Sequence, residues 1–312
     1  MTAKIFIDGE AGTTGLQIRE RLAGRDDLTF LTLSDTDRKD DACRAKMLND
    51  ADIVIMCLPD DAARAAVDMI DNPSVRVIDA SSAHRVSDGW VYGFPEMDAG
   101  QSAAIAAADR VTNPGCYAIT SVAILHPLVK SGVLHGSAAV TINAISGYSG
   151  GGRKMIEAYE DKTASPPFSV YGLGLNHKHV PEIKAWSGLD RVPLFMPSVG
   201  NFRQGMLVQV PLQLSALPGA PSPTDIHATL SNHYQGQKFV QVASLEESST
   251  MTGLEPGTLN GSNNLCLHVF GNEENGQAVV VGMLDNLGKG ASGQAVQNLN
   301  LMLGVAEDTG LV

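Results

Sequence analysis

The fold is indicated by one stretch near the start of the chain, Lys4-Ile-Phe-Ile-Asp-Gly-Glu-Ala-Gly-Thr-Thr-Gly15. Its apolar first half predicts a buried strand, and Leu16, Ile18 and Leu22 follow it at helical spacing. Three further apolar runs that read as strands lie at residues 28–33, 53–58 and 75–78. Because strands and helices alternate in this way, the first part of the chain is predicted to form an α/β fold with a doubly wound parallel sheet.

The turn inside that stretch is predicted to bind a dinucleotide. Gly9, Gly12 and Gly15 lack Cβ atoms, so a pyrophosphate can approach the N–H groups at the helix start, where Thr13 and Thr14 lie. The spacing is G-x-x-G-x-x-G rather than the usual G-x-G-x-x-G, and a purely structural glycine turn is the alternative.

The end of the second strand distinguishes between the two nicotinamide dinucleotides. An acid there accepts from a ribose 2′-OH, whereas a cation holds a 2′-phosphate. The chain reads Ser34-Asp-Thr-Asp-Arg-Lys39, in which Ser34 and Arg38 favour NADP(H) and Asp35 favours NAD. We predict NADP(H).

A candidate nucleophile follows in Asn113-Pro-Gly-Cys-Tyr-Ala118, where a Pro-Gly turn leads into a predicted helix. Cys116 would then lie at the open end of that helix. Unpaired N–H groups and the macrodipole favour a thiolate there, lowering a pKa that starts near about 8.5. The alternative is a buried, unreactive cysteine.

A thiolate nucleophile needs a proton-transfer partner, and Asn176-His-Lys-His-Val-Pro-Glu-Ile183 offers two histidines just before a helix start. His177 and His179 would be held in a loop, one reaching the substrate and the other the thiol. A surface loop or a structural hydrogen bond is the alternative. We predict no metal site, because neither a carboxylate nor a third histidine stands nearby at ligand spacing.

Three other loops carry polar candidates. In the run 146–154, which includes Tyr148, the glycines are expected to leave backbone N–H groups exposed and Arg153 to add a bidentate guanidinium, unless this run is only a flexible linker. Residues 80–85 follow the fourth strand, where ligands bind in such folds. Residues 285–290 reach a similar place, where Asn286 could hold a nicotinamide amide and Lys289 could bind cofactor or merely cap a solvated turn.

The second part of the chain changes pattern. Strand signals at 137–145, 206–212, 266–270 and 277–285 predict a mixed or antiparallel sheet, with a surface helix at 223–233. A last helix at 291–303 is predicted to return to the first domain. We therefore predict a nucleotide domain of residues 1–115 and 286–312, and an α+β catalytic domain of residues 116–285. Its exposed-face strands suggest a homodimer or homotetramer.

Composition limits the kinds of partner that the protein is expected to bind. The 312 residues carry a net charge of −12, which argues against nucleic acid because clustered cations are missing. The four cysteines are scattered without a C-x-x-C pair, which predicts neither a zinc site nor a disulfide framework and favours a reducing cytoplasm. We expect no secretion signal and no membrane segment.

The chain resembles the N-acetyl-γ-glutamyl-phosphate reductases, in the shorter of two subtypes. The residues that carry this resemblance are the glycine turn, Asn113 to Tyr117, Gly147 to Arg153 and His177 to Ile183. The resemblance runs nearly end to end. It implies a Rossmann-type domain interrupted by a catalytic domain, and NADPH-dependent reduction of an acyl phosphate to a semialdehyde in arginine biosynthesis, with release of phosphate.

The resemblance also implies roles for individual residues. Cys116 would form a thioester and His179 would act as general acid. Residues expected to bind cofactor are Gly9, Gly12, Thr13, Thr14, Gly15, Ser34, Arg38, Ser81, Asn286 and Lys289. Residues expected to bind substrate are Arg85, Tyr148, Arg153, His177 and Glu182.

Two other functions stay open at this point. One is a related acyl-phosphate reductase, such as an aspartate-semialdehyde dehydrogenase, which would share the plan and the cysteine. The other is a catalytically silent dinucleotide-binding sensor, which would have no need of a cysteine at a helix start.

Overall fold

The computed structural model describes residues 2–161 and 166–311, and they form two compact units. The first consists of residues 1–114 with 291–312, and the second of residues 115–290. The sequence places the second boundary between 285 and 286, so Asn286 and Lys289, expected in the nucleotide domain, belong to the second unit.

The first unit contains a six-stranded sheet in which every pair of neighbours is parallel. The strands are β1 (Ala3–Asp8), β2 (Leu28–Leu31), β3 (Ile53–Met56), β4 (Arg76–Asp79), β5 (Val91–Tyr92) and β6 (Arg110–Thr112), in the order β2-β1-β3-β4-β6-β5. The helices are α1 (Thr13–Arg21), α2 (Asp41–Asp50), α3 (Asp60–Asp68), α4 (Gln101–Ala107) and α10 (Gly293–Leu303). The prediction of a doubly wound parallel sheet is confirmed.

Alternate residues of β1 pack into two cores. Ile5 and Ile7 lie in a cluster with Ile18 of α1 and Leu299 of α10, whereas Phe6 packs with residues of α2 and α3. Since successive side chains of a strand point to opposite faces, both faces of the sheet are covered by helices. Full burial of each such side chain contributes about 1.5–3 kcal/mol.

The second unit contains a seven-stranded mixed sheet with the order β11-β12-β13-β10-β7-β9-β8. Its strands are β7 (Thr141–Gly147), β8 (Phe168–Val170), β9 (Leu194–Gly200), β10 (Met206–Gln213), β11 (Val240–Val242), β12 (Leu265–Asn272) and β13 (Gln277–Leu284). Its helices are α5 (Cys116–Lys130), α6 (Arg153–Glu160), α7 (Val180–Ser187), α8 (Pro223–His233) and α9 (Leu245–Thr250). The predicted mixed sheet is confirmed, and so are the bounds of α8.

Two strands depart from the expected pattern for local reasons. β7 begins at Thr141 rather than at 137, because the Ala138 N–H donates to the His135 carbonyl at 2.8 Å and closes a turn first. β9 was not anticipated, because Pro197 lies inside it and proline usually argues against a central strand.

α5 is buried along most of its length. Its recurring apolar residues include Ile119, Val122 and Leu125, and it packs against α7, α8 and β13. A helix so enclosed holds its first residue in a fixed place, which matters because that residue is Cys116.

Candidate active site

The glycine turn of the first unit has the geometry of a phosphate cradle. Gly9 has φ +90°, and a Cβ there would lie 2.4 Å from the Cys57 carbonyl oxygen. A Cβ on Gly15 would lie 2.6 Å from the Gly9 carbonyl oxygen. Only glycine fits these positions, and the N-cap of α1 at Gly12 carries no side-chain cap. The N–H groups at Thr13 and Thr14 therefore stay at an open helix start that suits a pyrophosphate.

A cavity of about 470 Å³ adjoins this turn. It is lined by Asp8, Gly9, Glu10 and Ala11 on one side, and by Leu33, Asp35, Arg38, Arg44 and Leu58 around the rest. Arg38 pairs with Asp35 at 3.2 Å, and the Ser34 hydroxyl bonds Thr36 at 2.8 Å and accepts the Asp37 N–H at 3.2 Å. These residues fit the adenosine half of a dinucleotide.

Ser81 and Arg85 lie past the end of β4 and are both buried. The Ser81 hydroxyl donates to Asp79 Oδ2 at 2.7 Å and accepts the Ala83 N–H at 3.1 Å. Arg85 donates from Nη2 to the Ala80 carbonyl at 3.1 Å. In the structure both side chains support the loop itself, and their contact with a ligand stays a prediction.

Cys116 is the first residue of α5, as expected, and its side chain is partly exposed. The N-cap is Gly115, and the first turn of the helix contains no acidic residue. The thiol therefore lies at a helix N-terminus, where the macrodipole favours its thiolate.

Glu182 fixes the residue before the nucleophile. Its Oε1 accepts the Gly115 N–H at 2.9 Å, across 67 positions of sequence, and the residue is 1% exposed. Glu182 lies in the first turn of α7, which packs against α5. The carboxylate expected to bind substrate thus holds the start of the nucleophile's helix, and its contact with substrate stays a prediction.

The two histidines meet in an aromatic cluster. Their ring centroids lie 4.8 Å apart, and the Tyr117 ring lies 6.1 Å from His177 and 5.9 Å from His179. The His179 N–H donates to His177 Nδ1 at 3.1 Å. His177 is partly exposed, whereas His179 is buried and stands at the N-cap position of α7 without a side-chain capping bond. Both histidine rings therefore pack against Tyr117, the residue that follows Cys116.

Two tyrosines in the same cluster stay protonated. Burial raises the pKa of Tyr171 to about 12, a hydrogen bond with Tyr117 lowers it, and charge on Cys116 adds to the rise. Burial also raises the pKa of Tyr117 well above its usual range, and its hydroxyl donates to the Ser198 carbonyl at 2.9 Å. Both phenols are hydrogen-bond donors at neutral pH.

Tyr148 and Arg153 lie in the 3₁₀ turn Tyr148–Gly151 and at the start of α6. The Tyr148 ring stacks on Tyr159 at 4.9 Å. Arg153 is exposed, and its Nε bonds Glu157 Oε1 at 2.7 Å. Substrate binding by these two residues stays a prediction.

Asn286 and Lys289 are both buried. Asn286 donates from Nδ2 to the Ser149 hydroxyl at 3.0 Å and accepts the Gly205 N–H at 2.8 Å. Lys289 lies in a π-helical turn, Gly288–Ser292, and its Nζ is 5.5 Å from the centre of the Phe239 ring. The suggestion that Lys289 caps a solvated turn was wrong, because the packed turn encloses it.

Comparison with known proteins bears on this arrangement. Residues 33–105 match the family model described as semialdehyde dehydrogenase, NAD binding domain, and residues 116–286 match semialdehyde dehydrogenase, dimerisation domain. N-acetyl-gamma-glutamyl-phosphate reductase 2 of Pseudomonas putida is 53% identical over 311 residues, which cover 99% of each chain. The reductase of Chelativorans sp. is 55% identical over 306 residues, covering 97% of this chain and 99% of that protein.

The chain belongs to the N-acetyl-γ-glutamyl-phosphate reductase family.

Solved structures agree in fold with this reductase family member. Aspartate semialdehyde dehydrogenase II of Vibrio cholerae matches with a TM-score of 0.71 at 15% identity, covering 97% of this chain and 99% of that one. The aspartate semialdehyde dehydrogenase of Candida albicans, solved with NADP, matches with a TM-score of 0.65 at 13% identity, covering 97% and 99%.

Three residues of this reductase family member were given no individual role from the sequence. Arg44 lies in α2, away from any recognised motif, and lines the cavity. Tyr171 follows β8, a strand of only three residues. Gly290 belongs to a Gly-Lys-Gly run that signals a close approach, and a Cβ there would lie 2.7 Å from the Cys116 Cβ.

No membrane-crossing helix occurs among the residues that the structure describes, since none there is both long and apolar enough. Within the same residues, no three histidine, cysteine or acidic side chains are grouped closely enough to hold a metal ion.

The positioning role of Glu182 can be tested with two variants. Glu182→Leu leaves the buried Gly115 N–H without its acceptor, which costs about 1–3 kcal/mol of stability. We expect kcat to fall at least about tenfold with KM nearly unchanged, because the nucleophile is displaced rather than the substrate site. Glu182→Gln keeps an acceptor and should stay within a few-fold of wild type. Equal losses in both variants would argue for a role of the negative charge itself.

Proposed function

We propose that this protein catalyses the NADPH-dependent reduction of N-acetyl-γ-glutamyl phosphate to N-acetyl-L-glutamate 5-semialdehyde, releasing phosphate in arginine biosynthesis. The observation that carries the proposal is Cys116 at the start of α5, with the His177 and His179 rings packed on the neighbouring Tyr117. Family membership with relatives named for this reaction supports the substrate.

The first half-reaction needs only the chain and the substrate. The Cys116 thiolate attacks the acyl carbon, the carbon–oxygen bond to phosphate breaks, and a thioester remains on sulfur. The N–H groups at the start of α5 are suited to steady the oxyanion, an effect of about 2.7–4 kcal/mol per preorganised donor elsewhere. Glu182 keeps that helix start in place through Gly115.

The second half-reaction reduces the thioester. NADPH, when bound, supplies the hydride. His179 protonates the resulting oxygen to give a thiohemiacetal, then accepts that proton again as the carbon–sulfur bond breaks and the aldehyde leaves. Cys116 returns to its thiolate. His177, which is partly exposed, orients the substrate.

The decisive experiment runs the reaction in reverse. NADPH formation is followed at the nicotinamide absorbance with N-acetyl-glutamate 5-semialdehyde and NADP, with and without phosphate, and with aspartate semialdehyde in parallel. We expect strictly phosphate-dependent activity on the acetylated substrate. Activity on aspartate semialdehyde alone would replace the substrate and keep the mechanism, whereas activity on neither would favour the silent sensor.

Alkylation separates an enzyme from a sensor without any substrate. Burial raises the pKa of Cys57 to about 12 and raises the pKa of Cys266, and the pKa of Cys43 is raised by desolvation and by Asp40 and Asp37. We therefore expect iodoacetamide at neutral pH to modify Cys116 at least about tenfold faster than the other three, since the thiolate reacts. Peptide mapping of a time course measures this. Equal rates at Cys116 and Cys43 would contradict the assignment.

Assembly and location complete the proposal. The match of residues 116–286 to a domain described by dimerisation supports a homodimer or homotetramer, which sedimentation velocity would distinguish from a monomer. A reducing cytoplasm suits an enzyme with a thiolate nucleophile and four cysteines without a disulfide among them.

A further inference from the structure

Arg44 is a cation held against the wall of the nucleotide cavity. It extends from α2 to the end of β1, where its Nη2 bonds Asp8 Oδ2 at 2.9 Å. Its Nη1 bonds Asp41 Oδ1 at 3.3 Å, and its side chain is 14% exposed. These two bonds use two of the five N–H groups that an arginine carries. The guanidinium is therefore fixed in direction and still able to donate.

Arg44 lies in the part of the cavity where the adenosine ribose of a dinucleotide is expected to bind. Its lining includes the glycine turn after β1, and Leu33 and Leu58 past the ends of β2 and β3. In a parallel sheet of this type the pyrophosphate lies on the turn, and the adenosine ribose lies beside the end of the second strand. A cation in this lining therefore lies near the place that the adenosine ribose would take.

Charge at the cavity also suits a phosphate. The three acidic side chains in its lining each have a basic partner in the structure: Asp8 with Arg44, Glu10 with Arg19 at 3.3 Å, and Asp35 with Arg38. Each carboxylate of the lining therefore has a cation beside it, and the second carboxylate on Arg44, Asp41, is 77% exposed, so water screens its charge.

Arg44 and Arg38 differ in how firmly they are held. The Arg38 side chain is 47% exposed and pairs with Asp35, whose side chain is 89% exposed. Arg44 is enclosed and anchored on the buried Asp8. Less side-chain entropy is lost when a preorganised guanidinium binds a ligand. Arg44 is therefore expected to bind a phosphate more tightly than Arg38.

We propose that Arg44 recognises the 2′-phosphate of the cofactor and thereby selects NADPH over NADH, an inference that rests on the proposed function for its ligand. The pairing is bidentate, from the N–H groups that Asp8 and Asp41 leave available.

The test measures binding of two nucleotide fragments by calorimetry, with no turnover involved. 2′,5′-ADP carries the 2′-phosphate and 5′-AMP lacks it. Wild type is expected to bind 2′,5′-ADP at least about tenfold more tightly than 5′-AMP. Arg44→Gln should lose about tenfold in affinity for 2′,5′-ADP and stay within twofold for 5′-AMP. The matched control Arg38→Gln should lose less.

Removing Arg44 alone leaves Asp8 without its partner, so a second variant guards against misfolding. Asp8→Asn combined with Arg44→Gln removes both charges of the pair and should show the same selective loss. Full discrimination retained in both Arg44 variants would overturn the inference while leaving the proposed function intact. A wild type that binds both fragments equally would instead count against NADPH as the cofactor.

Discussion

Replacing Cys116 with serine is expected to lower kcat by at least about 10³-fold while NADPH binding stays within about twofold of wild type. A serine hydroxyl at neutral pH carries almost no alkoxide, whereas the start of α5 favours thiolate at this position. The substitution removes little volume and leaves the Gly115–Glu182 bond in place. Turnover from the reverse assay and cofactor affinity from calorimetry measure the two quantities separately.

The matched control is Cys266→Ser on β12. Burial raises the pKa of the Cys266 thiol, so that cysteine is expected to be inert and its variant to turn over normally. If Cys116→Ser kept more than a tenth of wild-type activity, the thioester mechanism would be untenable. If Cys266→Ser lost as much as Cys116→Ser, the loss would reflect general damage from replacing a thiol.

The parts of the fold that follow from local pattern were predictable. The apolar run of β1, the glycine turn and the helix behind it lie next to each other in sequence, and periodicity identifies them directly. The helix Pro223–His233 was predicted to the residue, because Ser222 caps it and proline begins it. By contrast, the three-residue strands β8 and β11 are too short to show a period, and tertiary pairing alone stabilises them.

The candidate site likewise has a part that local sequence pattern predicts and a part that it does not. Cys116 and the histidines stand in short motifs, but the bond from Glu182 to Gly115 joins residues 67 apart and no periodicity reports it. Arg44 was missed for the same reason, since its partner Asp8 lies 36 residues away and α2 carries no motif. The burial of Lys289 depends on the packing around Phe239, which composition does not reveal.

Replacing His179 with asparagine is expected to lower kcat by about 10²–10⁴-fold, the range for loss of a general acid, and replacing His177 should cost far less. The reason lies in the bond between them. Because the His179 N–H donates to His177 Nδ1 at 3.1 Å, that nitrogen is an acceptor, and the His177 ring offers Nε2 to the substrate. It can donate a hydrogen bond to substrate, but it cannot hold the second proton without breaking the bond.

Asparagine is a suitable replacement for comparing the two histidines, because its side-chain Oδ1 lies nearly where the histidine Nδ1 lies. In His177→Asn the backbone bond to residue 179 is kept and one donor toward substrate is lost, so KM is expected to rise more than kcat falls. In His179→Asn the proton carrier itself is gone, so kcat falls and phosphate is still released once per Cys116 as the thioester accumulates. Measuring kcat, KM and the phosphate burst for both variants tests the assignment. Equal, mild losses would mean that neither histidine is the acid, and a missing burst in His179→Asn would move its role to formation of the thioester.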